Sequence, residues 1–546
     1  MIKQEIIRGY SFFKKKGLKS TITKAKRHIK EQAAYKMWPA LSEERREKQR
    51  NRKFAYRPLI SIIVPLYNTP VDFLEELVDS VIAQTYSNWE LCLADGTAKE
   101  TEITRRVRKY MKDEDRIKYK ILDENEGISG NTNKAMEMAA GDYIALADHD
   151  DILSPSALYE IVRAINKNSH TDVLYTDEDK VDTDGKGYYM PHFKPDYNEE
   201  YFLANNYICH FFVVKRDIAL STGGFDSEYD GAQDYDFIWK CIERAEHVHH
   251  VPKVLYHWRC HMNSTAGRPE CKLYAYENGA KVLRAHYKRC GIDADVEMYP
   301  ESYGYYKTTY RLTSKPEVTV LTIGGSGDAG SRIKYQCSRI HVDDYDIDKI
   351  NDAILKQNNR YVLLADGNAK IDANHIKTLL SYVLRDNTAV AGGRIYDNHG
   401  KLLFGGFTLG IRGSFGYAFQ GAGKSDRGYY LRIAVPQQTM AVCGCFMMID
   451  TKYFSKVGGF DNEMDFATAV ADYCLKVRTT TDKISVYVPD ATIKTKRSKE
   501  YYADVMSLQK FKAKWSNIIQ KGDPFYNKNL TLNFADYSLR KKGVKY

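Results

Sequence analysis

The chain has 546 residues, more than one ordinary domain needs and enough for two. Its apolar content of 43% is typical of a globular protein with a full core, and no apolar run reaches the roughly 18 residues of a membrane-spanning helix. The ten cysteines form no paired framework, which excludes a disulfide-stapled secreted fold and indicates a reducing compartment. We therefore expect a cytoplasmic protein.

The net charge of +10 is concentrated at the N-terminus. Residues 1–57 hold 18 Lys and Arg against 5 Glu, so the rest of the chain sums to about −3. Apolar residues recur there at three- and four-residue steps between lysines, from Ile6 to Ile29, which predicts a basic amphipathic helical segment. Such a segment suits an anionic membrane, or it packs against the protein body or a partner chain. We expect peripheral binding to the inner face of the cell membrane, and no nucleic acid.

From residue 59 the sequence alternates strands and helices. This alternation predicts an α/β fold whose mostly parallel sheet is covered by helices, with ligands bound beyond the carboxyl ends of the strands. The predicted elements are strand 59–65, helix 71–84, strand 89–94, helix 131–140, strand 143–147, helix 155–165 and strand 173–176.

A second copy of the pattern begins near Val318. Strand 318–323 repeats the first strand, and RYVLLAD at 360–366 repeats DYIALAD at 142–148. Further on, VGGFD at 457–461, ADY at 471–473 and VP at 488–489 repeat TGGFD, QDY and VP of the first half in the same order. We infer a tandem duplication with a basic segment at 1–57, a first domain at 58–310 and a second at 316–546.

An acidic box, Asp148-His149-Asp150-Asp151, follows the predicted strand 143–147 directly. Three carboxylates within four residues repel one another, and a divalent cation would neutralise them. Mg²⁺ or Mn²⁺ prefers such oxygen ligands and can also grip substrate phosphates. An exposed acidic turn is the ordinary alternative, but such turns rarely follow a buried strand without a break.

Five motifs together resemble the family 2 glycosyltransferases of bacterial surface polysaccharide synthesis. They are Ser61-Ile-Ile-Val-Pro-Leu-Tyr-Asn68, Glu126-Gly-Ile-Ser-Gly-Asn-Thr-Asn133, the acidic box, Gly231-Ala-Gln-Asp-Tyr-Asp236 and Tyr256-His-Trp-Arg259. The resemblance is strong over residues 57–290 and weak in the second copy. It implies two tandem A-type glycosyltransferase domains, Rossmann-like in their sheets, with an Mn²⁺ or Mg²⁺ cofactor and inverting transfer from a UDP- or dTDP-sugar.

The resemblance also implies roles for individual residues. Asp234 is the expected catalytic base, unless it only caps a helix N-terminus. Asp150 and His257 are the expected metal ligands, although a buried structural histidine remains the alternative for His257. The nucleotide-sugar residues would be Pro65, Tyr67, Asn68, Asp95, Gly130, Asn133, Asp148 and Arg259. The acceptor residues would be Asp177, Asp179, Lys194 and Asp196.

Processive relatives carry a Gln-x-x-Arg-Trp box and transmembrane helices, and this chain shows neither. The resemblance therefore implies non-processive transfer to a glycan acceptor, carried on a polyprenyl diphosphate. The second copy has lost two of the three carboxylates, since it reads Asp366-Gly-Asn-Ala, and counting from the shared Val-Pro pair places Lys494 at the position of His257. Only Asp472 remains there as a possible base, so we expect no catalysis from that copy.

Two other functions remain open, and a third is disfavoured by the sequence. The chain could be a bifunctional transferase with both copies active, or a scaffold that binds nucleotide sugars or carbohydrate. A nucleotide-sugar pyrophosphorylase would carry a Gly-rich, basic loop after its first strand, where this chain reads Pro-Leu-Tyr-Asn-Thr-Pro.

Overall fold

The structure is a computed structural model that describes residues 41–261, 273–300, 302–312, 314–327 and 333–540. The apolar repeat predicted to form the basic amphipathic segment lies outside these ranges. Of residues 1–57, helix α1 (Glu43–Arg50) is described, and it buries none of its side chains. No helix in the described ranges is long and apolar enough to cross a bilayer.

The chain divides into two compact units. The first contains residues up to Tyr197 with Asn205–Ile292 and Val296–Tyr306, and the second contains Asn198–Ala204, Asp293–Asp295 and residues from Lys307 onward. Each unit has its own α/β sheet, which confirms the predicted fold class of two tandem α/β regions. The exact domain limits remain a prediction.

The first unit is built around a nine-stranded sheet in the order β3-β2-β1-β4-β8-β6-β9-β5, with β7 paired to β6. Its strands are β1 (Ile60–Leu66), β2 (Trp89–Asp95), β3 (Ile117–Ile121), β4 (Tyr143–Leu146), β5 (Ile152–Leu153), β6 (Val173–Val181), β7 (Tyr188–His192), β8 (Phe212–Lys215) and β9 (Val248–Arg259). Its helices are α2 (Val71–Ile82), α3 (Glu102–Asp113), α4 (Gly127–Glu137), α5 (Ala157–Lys167), α7 (Arg216–Ser221), α8 (Gln233–Ile242) and α9 (Leu273–Arg289).

The apolar run of β1 explains its central place in this sheet. Six of its seven residues are buried, as expected of a strand covered on both faces. It pairs in parallel with β2 and β4, so the carboxyl ends of all three strands meet at one edge. The acidic box begins at Asp148, two residues after the last residue of β4. The sheet is more mixed than predicted, because β8 runs antiparallel between β4 and β6.

The second unit repeats this topology in the order β13-β12-β14-β20-β15-β21-β19. The six strands from β13 to β21 match β2-β1-β4-β8-β6-β9 in order, and β20 is antiparallel as β8 is. The strands from the end of the first unit onward are β10 (Ala294–Met298), β11 (Tyr306–Tyr310), β12 (Val318–Ile323), β13 (Cys337–Val342), β14 (Tyr361–Asp366), β15 (Thr388–Asp397), β16 (Leu402–Phe404), β17 (Phe407–Leu409), β18 (Phe415–Tyr417), β19 (Gln437–Thr439), β20 (Phe446–Asp450) and β21 (Ile484–Thr495). The helices are α10 (Ile347–Leu355), α11 (Ala373–Val383), α12 (Thr451–Lys456), α13 (Phe466–Thr481), α14 (Val505–Lys514) and α15 (Ser516–Lys521).

Helix α6 (Glu199–Ala204) belongs to the second unit although it lies within the first half of the sequence. The buried carboxylate of Glu200 is paired with Arg385. The side chain of Asn198 donates to the Gln438 carbonyl at 3.0 Å and accepts from the Gln438 amide at 2.9 Å. No pattern in the sequence predicted that this short segment of the first half belongs to the second unit.

An asparagine braces the Gly-Gly-Phe turn in each unit. Asn133 on α4 donates to the Phe225 carbonyl at 2.9 Å and accepts from the Phe225 amide at 2.8 Å. Asn351 on α10 makes the same pair of hydrogen bonds with Phe460, at 2.9 and 3.0 Å. The recurrence gives Asn133 a structural role in this turn, and its role in nucleotide-sugar binding remains a prediction.

The helix after each turn corrects the predicted alignment of the two copies. Lys240 donates to the Gly224 carbonyl and pairs with Asp236, and Lys476 donates to the Gly459 carbonyl and lies 3.4 Å from Asp472. Asp472 therefore matches Asp236, not Asp234. Counting back two residues along the helix, the position of Asp234 in the second unit is Val470, which is buried.

The turn brace is tested by Asn351→Ala. Loss of both hydrogen bonds leaves the Phe460 amide and carbonyl without partners, and we expect the second unit to lose about 2–3 kcal/mol of unfolding free energy. Hydrogen exchange at the Phe460 amide should become at least about tenfold faster. Asn462→Ala, which removes an exposed asparagine two residues beyond the turn, is the control and should leave exchange unchanged. Equal exchange in both variants would contradict the brace.

Candidate active site

Asp151 fixes the acidic box to strand β9. Its buried carboxylate accepts the Tyr256 hydroxyl at 2.5 Å and the backbone N–H of Arg259 at 2.7 Å. Burial, followed by the charges of Asp150 and Asp148, raises the pKa of Asp151 well above its ordinary value. Sequence reasoning placed Asp151 in the box but gave it no role of its own, because its partners are more than a hundred positions away.

Asp148 is the carboxylate of the box that faces the cleft. Its side chain is 43% exposed, and its Oδ2 lies 3.7 Å from Nε2 of His210. Partial desolvation of the carboxylate in the cleft raises the pKa of Asp148, against the opposing charge of His210. Its ligand atoms, with those of Asp151 and His210, lie within 4.8 Å of one another. Crowded carboxylates beside an imidazole form a donor set that fits Mn²⁺ or Mg²⁺.

His210 was missed by sequence reasoning. It precedes β8, stacks on the ring of Tyr256 with centroids 4.6 Å apart, and has a buried Nδ1 without a hydrogen-bond partner among the described residues. No motif marked it, and only the antiparallel insertion of β8 beside β4 brings it to Asp148.

The two predicted metal ligands do not pair with each other. Oδ2 of Asp150 lies 2.9 Å from Nε2 of His261, whereas Nδ1 of His257 lies 2.5 Å from Oδ1 of the buried Asp179. Burial would raise the pKa of Asp150, but the hydrogen bond with His261 and the charge of His149 hold it below its ordinary value. His261 stands four residues after His257 and was not singled out in the sequence, whereas the metal role of His257 remains a prediction.

Asp234, the predicted base, lies in the first turn of α8. Its Oδ2 accepts the side-chain N–H of Asn206 at 2.8 Å and the thiol of Cys209 at 3.4 Å. Asp234 lines one pocket with Pro65, Asp148 and His210, together with Ile63, Ile128, Thr132, Leu146, Ala147, Cys209, Phe225 and Gln233. The fold thus brings the predicted base to the predicted box and to the end of β1.

Four predicted nucleotide-sugar residues lie on the loops and helix that follow the strand ends. Tyr67 is half-exposed, and the amide of Asn68, at a positive φ of 47°, donates to Thr97 Oγ1 at 3.2 Å. Asp95 is buried and accepts the Tyr119 hydroxyl at 2.7 Å. A Cβ on Gly130 would lie 2.3 Å from that of Glu126, so a side chain there would collide with the preceding turn of α4.

Arg259 is engaged entirely within the protein core. Its side chain is fully buried, donates to the carbonyls of Asp150 at 2.6 Å and Thr183 at 2.9 Å, and pairs with Glu76. Its guanidinium lies over the ring of Phe73 at 4.6 Å. This environment gives Arg259 a structural role at the box and does not support the predicted contact with pyrophosphate.

Most of the predicted acceptor cluster is also buried. Asp177 accepts the Lys194 backbone N–H at 2.8 Å and lies 2.9 Å from His250, while the buried ammonium of Lys194 pairs with Glu178 at 2.9 Å. Burial opposes ionisation of Glu178, yet Lys194 lowers the pKa of Glu178 to about 2. Only Asp196, whose carboxylate lies 3.1 Å from His250, is well exposed. The cluster therefore supports the loop that carries His210.

Comparison with known proteins identifies the region that holds the acidic box and His210. Residues 61–221 match the family model described as glycosyl transferase family 2. The chain carries a glycosyl transferase family 2 domain. Its sheet, with the acidic box beyond the end of β4, has the A-type glycosyltransferase fold that the sequence predicted.

Similarity to curated relatives extends over both units. The chain is 29% identical over 550 residues to the uncharacterized protein y4gI of Sinorhizobium fredii and 25% identical over 560 residues to the O-antigen biosynthesis protein RfbC of Myxococcus xanthus. The matches cover 89% and 93% of this chain but 59% and 43% of those proteins. The chain thus spans about half the length of the relatives it matches.

Other similarities cover only part of the chain. The chondroitin synthase of Escherichia coli is 29% identical over 237 residues, which cover 43% of this chain and 33% of that protein. The crystal structure of S. aureus TarS with UDP-GlcNAc covers 41% of this chain and 65% of that protein, at 19% identity. Its TM-score of 0.34 is too low to carry a conclusion.

At the matching positions, the described residues of the second unit offer different side chains. At the strand end that matches the glycosyl transferase family 2 box, Asp366 is buried and accepts hydroxyls from Tyr501 at 2.9 Å and Tyr345 at 3.2 Å. Strands β15 and β21 of the second unit match β6 and β9 of the first. Lys494 lies opposite Tyr396 in the β15–β21 pair, and His257 lies opposite Asp179 in the β6–β9 pair, so Lys494 takes the place of His257 as the sequence predicted. Counting along β20, Cys445 takes the place of His210.

The role of Arg259 is tested by Arg259→Ala. Loss of a buried cation that joins Glu76 to two carbonyls should cost about 2–4 kcal/mol of unfolding free energy, and Arg259→Lys should restore little of it because lysine lacks the planar fork. Arg105→Ala, which removes an exposed arginine paired with Glu102, is the control and should be near neutral. If the Arg259→Ala protein is as stable as the wild type and loses only nucleotide affinity, the predicted contact of Arg259 with the pyrophosphate would be supported instead.

Proposed function

We propose that the chain is an inverting, non-processive glycosyltransferase that moves a sugar from a nucleoside-diphosphate sugar to a glycan acceptor. The observation that supports this most is the pocket shared by Asp234, Asp148 and His210 at the carboxyl edge of the first sheet. A general base and an acidic cation site open into one cleft there. A carbohydrate-binding scaffold needs neither feature.

Asp234 is the proposed general base. Both of its hydrogen bonds to described residues go to Oδ2, so Oδ1 can accept the proton of the acceptor hydroxyl as that hydroxyl attacks the anomeric carbon. Asn206 holds the carboxylate in one orientation. Inversion follows when attack comes from the face opposite the departing diphosphate.

Asp150 and His261 are the proposed metal ligands, with Asp148 and His210 beside them on the cleft side. A bound Mn²⁺ or Mg²⁺ would supply positive charge to the diphosphate as it departs. Asp151 keeps the box in place through Tyr256, and Arg259 holds the Asp150 carbonyl. The residues present fit such an ion, because Asp148, Asp151 and His210 beside this pair offer carboxylate and imidazole donors within 4.8 Å of one another.

The second unit is proposed to be non-catalytic. The position of Asp234 is Val470, that of His210 is Cys445, and Asp366 is closed off by two tyrosine hydroxyls. These substitutions favour one active centre over the bifunctional alternative.

The donor, acceptor and location are proposed on coarser grounds. The names of the relatives, an O-antigen biosynthesis protein and chondroitin synthases, favour a cell-surface polysaccharide as the product. The proposed donor is a UDP- or dTDP-sugar, because Asp95 at the end of β2 resembles the family aspartate that accepts a hydrogen bond from a uracil or thymine ring. The basic residues of 1–57 favour the inner face of an anionic membrane, where a polyprenyl-diphosphate-linked acceptor would lie.

The base is tested by Asp234→Asn. The amide is isosteric and cannot take a proton, so the variant should fold and bind donor normally while its transfer rate falls by about two to four orders of magnitude. Glu228→Gln, which neutralises an exposed carboxylate six residues upstream, is the matched control and should turn over normally. Transfer by Asp234→Asn at close to the wild-type rate would remove Asp234 from the role.

The metal ligands are tested by comparing His261→Ala with His257→Ala. Chelator should abolish donor turnover, and Mn²⁺ should restore it. Because His261 is the imidazole that contacts Asp150, His261→Ala should weaken Mn²⁺ binding, measured by electron paramagnetic resonance, by about 10- to 100-fold or more. The shift in His257→Ala should be smaller. A larger loss of Mn²⁺ binding in His257→Ala than in His261→Ala would support His257 as the ligand, as the sequence predicted. Full activity in excess chelator would refute metal dependence.

A further inference from the structure

A second group of metal-ligating side chains lies in the first unit, at the far end of α8 from the predicted base. Its members are Glu243, directly after α8, His286 in the last turn of α9, and Cys290 directly after α9. A carboxylate oxygen, a ring nitrogen and a thiol sulfur from these residues lie within 4.8 Å of one another. We call them the Glu-His-Cys cluster. Glu243 stands nine residues after Asp234, about 13 Å along a helix axis, so the cluster is separate from the pocket at Asp234.

The spacing of His286 and Cys290 directs both side chains to one face of α9. The backbone N–H of Cys290 donates to the His286 carbonyl at 3.0 Å, so the helical turn continues through the cysteine. Residues four apart on a helix lie one above the other. Accordingly, Sγ of Cys290 lies 3.8 Å from Nδ1 of His286. Side chains at this spacing are able to ligate one ion together, as the two histidines of a zinc-binding helix do.

Glu243 brings the third donor from α8. Its Oε1 lies 2.7 Å from Nδ1 of His286, the same atom that Cys290 approaches. Around a tetrahedral Zn²⁺ with ligand bonds of about 2.0–2.3 Å, neighbouring ligand atoms are about 3.3–3.6 Å apart. The separations of Nδ1 from the carboxylate and from the thiol each differ from these values by less than about 1 Å. An ion therefore fits with small movements of side chains.

The surroundings orient the carboxylate and the imidazole. Arg289 donates through Nε to Oε2 of Glu243 at 2.8 Å, and it can keep this bond while Oε1 turns to an ion. Burial would raise the pKa of Glu243, but the hydrogen bonds with His286 and Arg289 hold it below its ordinary value, so the carboxylate is ionised. The buried ring of His286 packs on Trp239, with centroids 3.9 Å apart. Outer partners of this kind fix the ligands of metal sites.

The thiol leaves the cluster accessible. Cys290 is exposed, so an ion can enter from solvent and a water can complete its shell. The guanidinium of Arg289 places a positive charge nearby. A thiolate at Cys290 offsets that charge when an ion binds.

We propose that the Glu-His-Cys cluster binds Zn²⁺ and thereby ties the end of α9 to the end of α8. Thiolate and imidazole donors favour Zn²⁺ over Mn²⁺ and Mg²⁺, which prefer oxygen. Binding releases the thiol proton of Cys290 to solvent, and the proton of the neutral imidazole resides on Nε2, which leaves Nδ1 free to ligate. The site takes a different class of ion from the acidic box and does not depend on the proposed function.

The test titrates the full, metal-free chain with Co²⁺, which substitutes for Zn²⁺ and absorbs in the near ultraviolet when it is bound to a thiolate. The wild type should show this sulfur-to-cobalt band, an equimolar amount of Zn²⁺ should remove it, and the same amount of Mn²⁺ should not. Cys290→Ser should lose the band, and Glu243→Gln should weaken Zn²⁺ binding by about tenfold or more. Zn²⁺ should also raise the thermal unfolding midpoint of the wild type but not of Cys290→Ser.

Cys337→Ser is the matched control, because it removes a partly exposed thiol of the second unit. It should keep the band and the Zn²⁺ affinity of the wild type. Absence of a thiolate band from the wild type, its persistence in Cys290→Ser, or its removal by Mn²⁺ as readily as by Zn²⁺ would overturn the inference. All of these measurements are made without sugar transfer, so the proposed function can fail while this site stands, and the reverse.

Discussion

The buried carboxylate of Asp151 is the constraint on which the rest of the first site depends. It joins a loop that follows β4 to the far end of β9, through one hydroxyl and one backbone amide. Burying a carboxylate is costly, and the raised pKa of Asp151 shows that cost. These two hydrogen bonds hold the loop in the arrangement in which Asp148 faces the cleft and Asp150 faces His261. Arg259 reinforces the same junction from behind.

Much of the fold was predictable because it follows from local patterns. The buried run of β1 and the strand before the box were placed within one or two residues, and the strand order of the second unit follows from its repeats. Asp148 and Asp234 were recognised by their motifs. Features that depend on distant partners were not visible in the sequence: the contact of Asp150 with His261, the burial of Arg259, and the position of His210 just before an antiparallel strand.

The alignment of the two copies shows the limit of short motifs. QDY and ADY look equivalent in sequence, yet the lysine that binds the glycine turn sets the true register two residues away. A three-letter match carries little information about helix register, whereas a side chain that bonds a fixed carbonyl determines it. The duplicated sheets thus kept their scaffold, including the asparagine brace, while the side chains at the strand ends diverged.

Helix α6 gives the duplication an unexpected property. The first half of the gene encodes a piece of the second unit's core, with Glu200 against Arg385 and Asn198 against Gln438. A fragment ending near residue 310 would present an unpaired Glu200 and a short helix with no core of its own. The two halves are therefore not interchangeable modules, because recombination near residue 310 would separate α6 from the core it packs against. During synthesis, the strands of the first sheet are all made before the residues that α6 packs against.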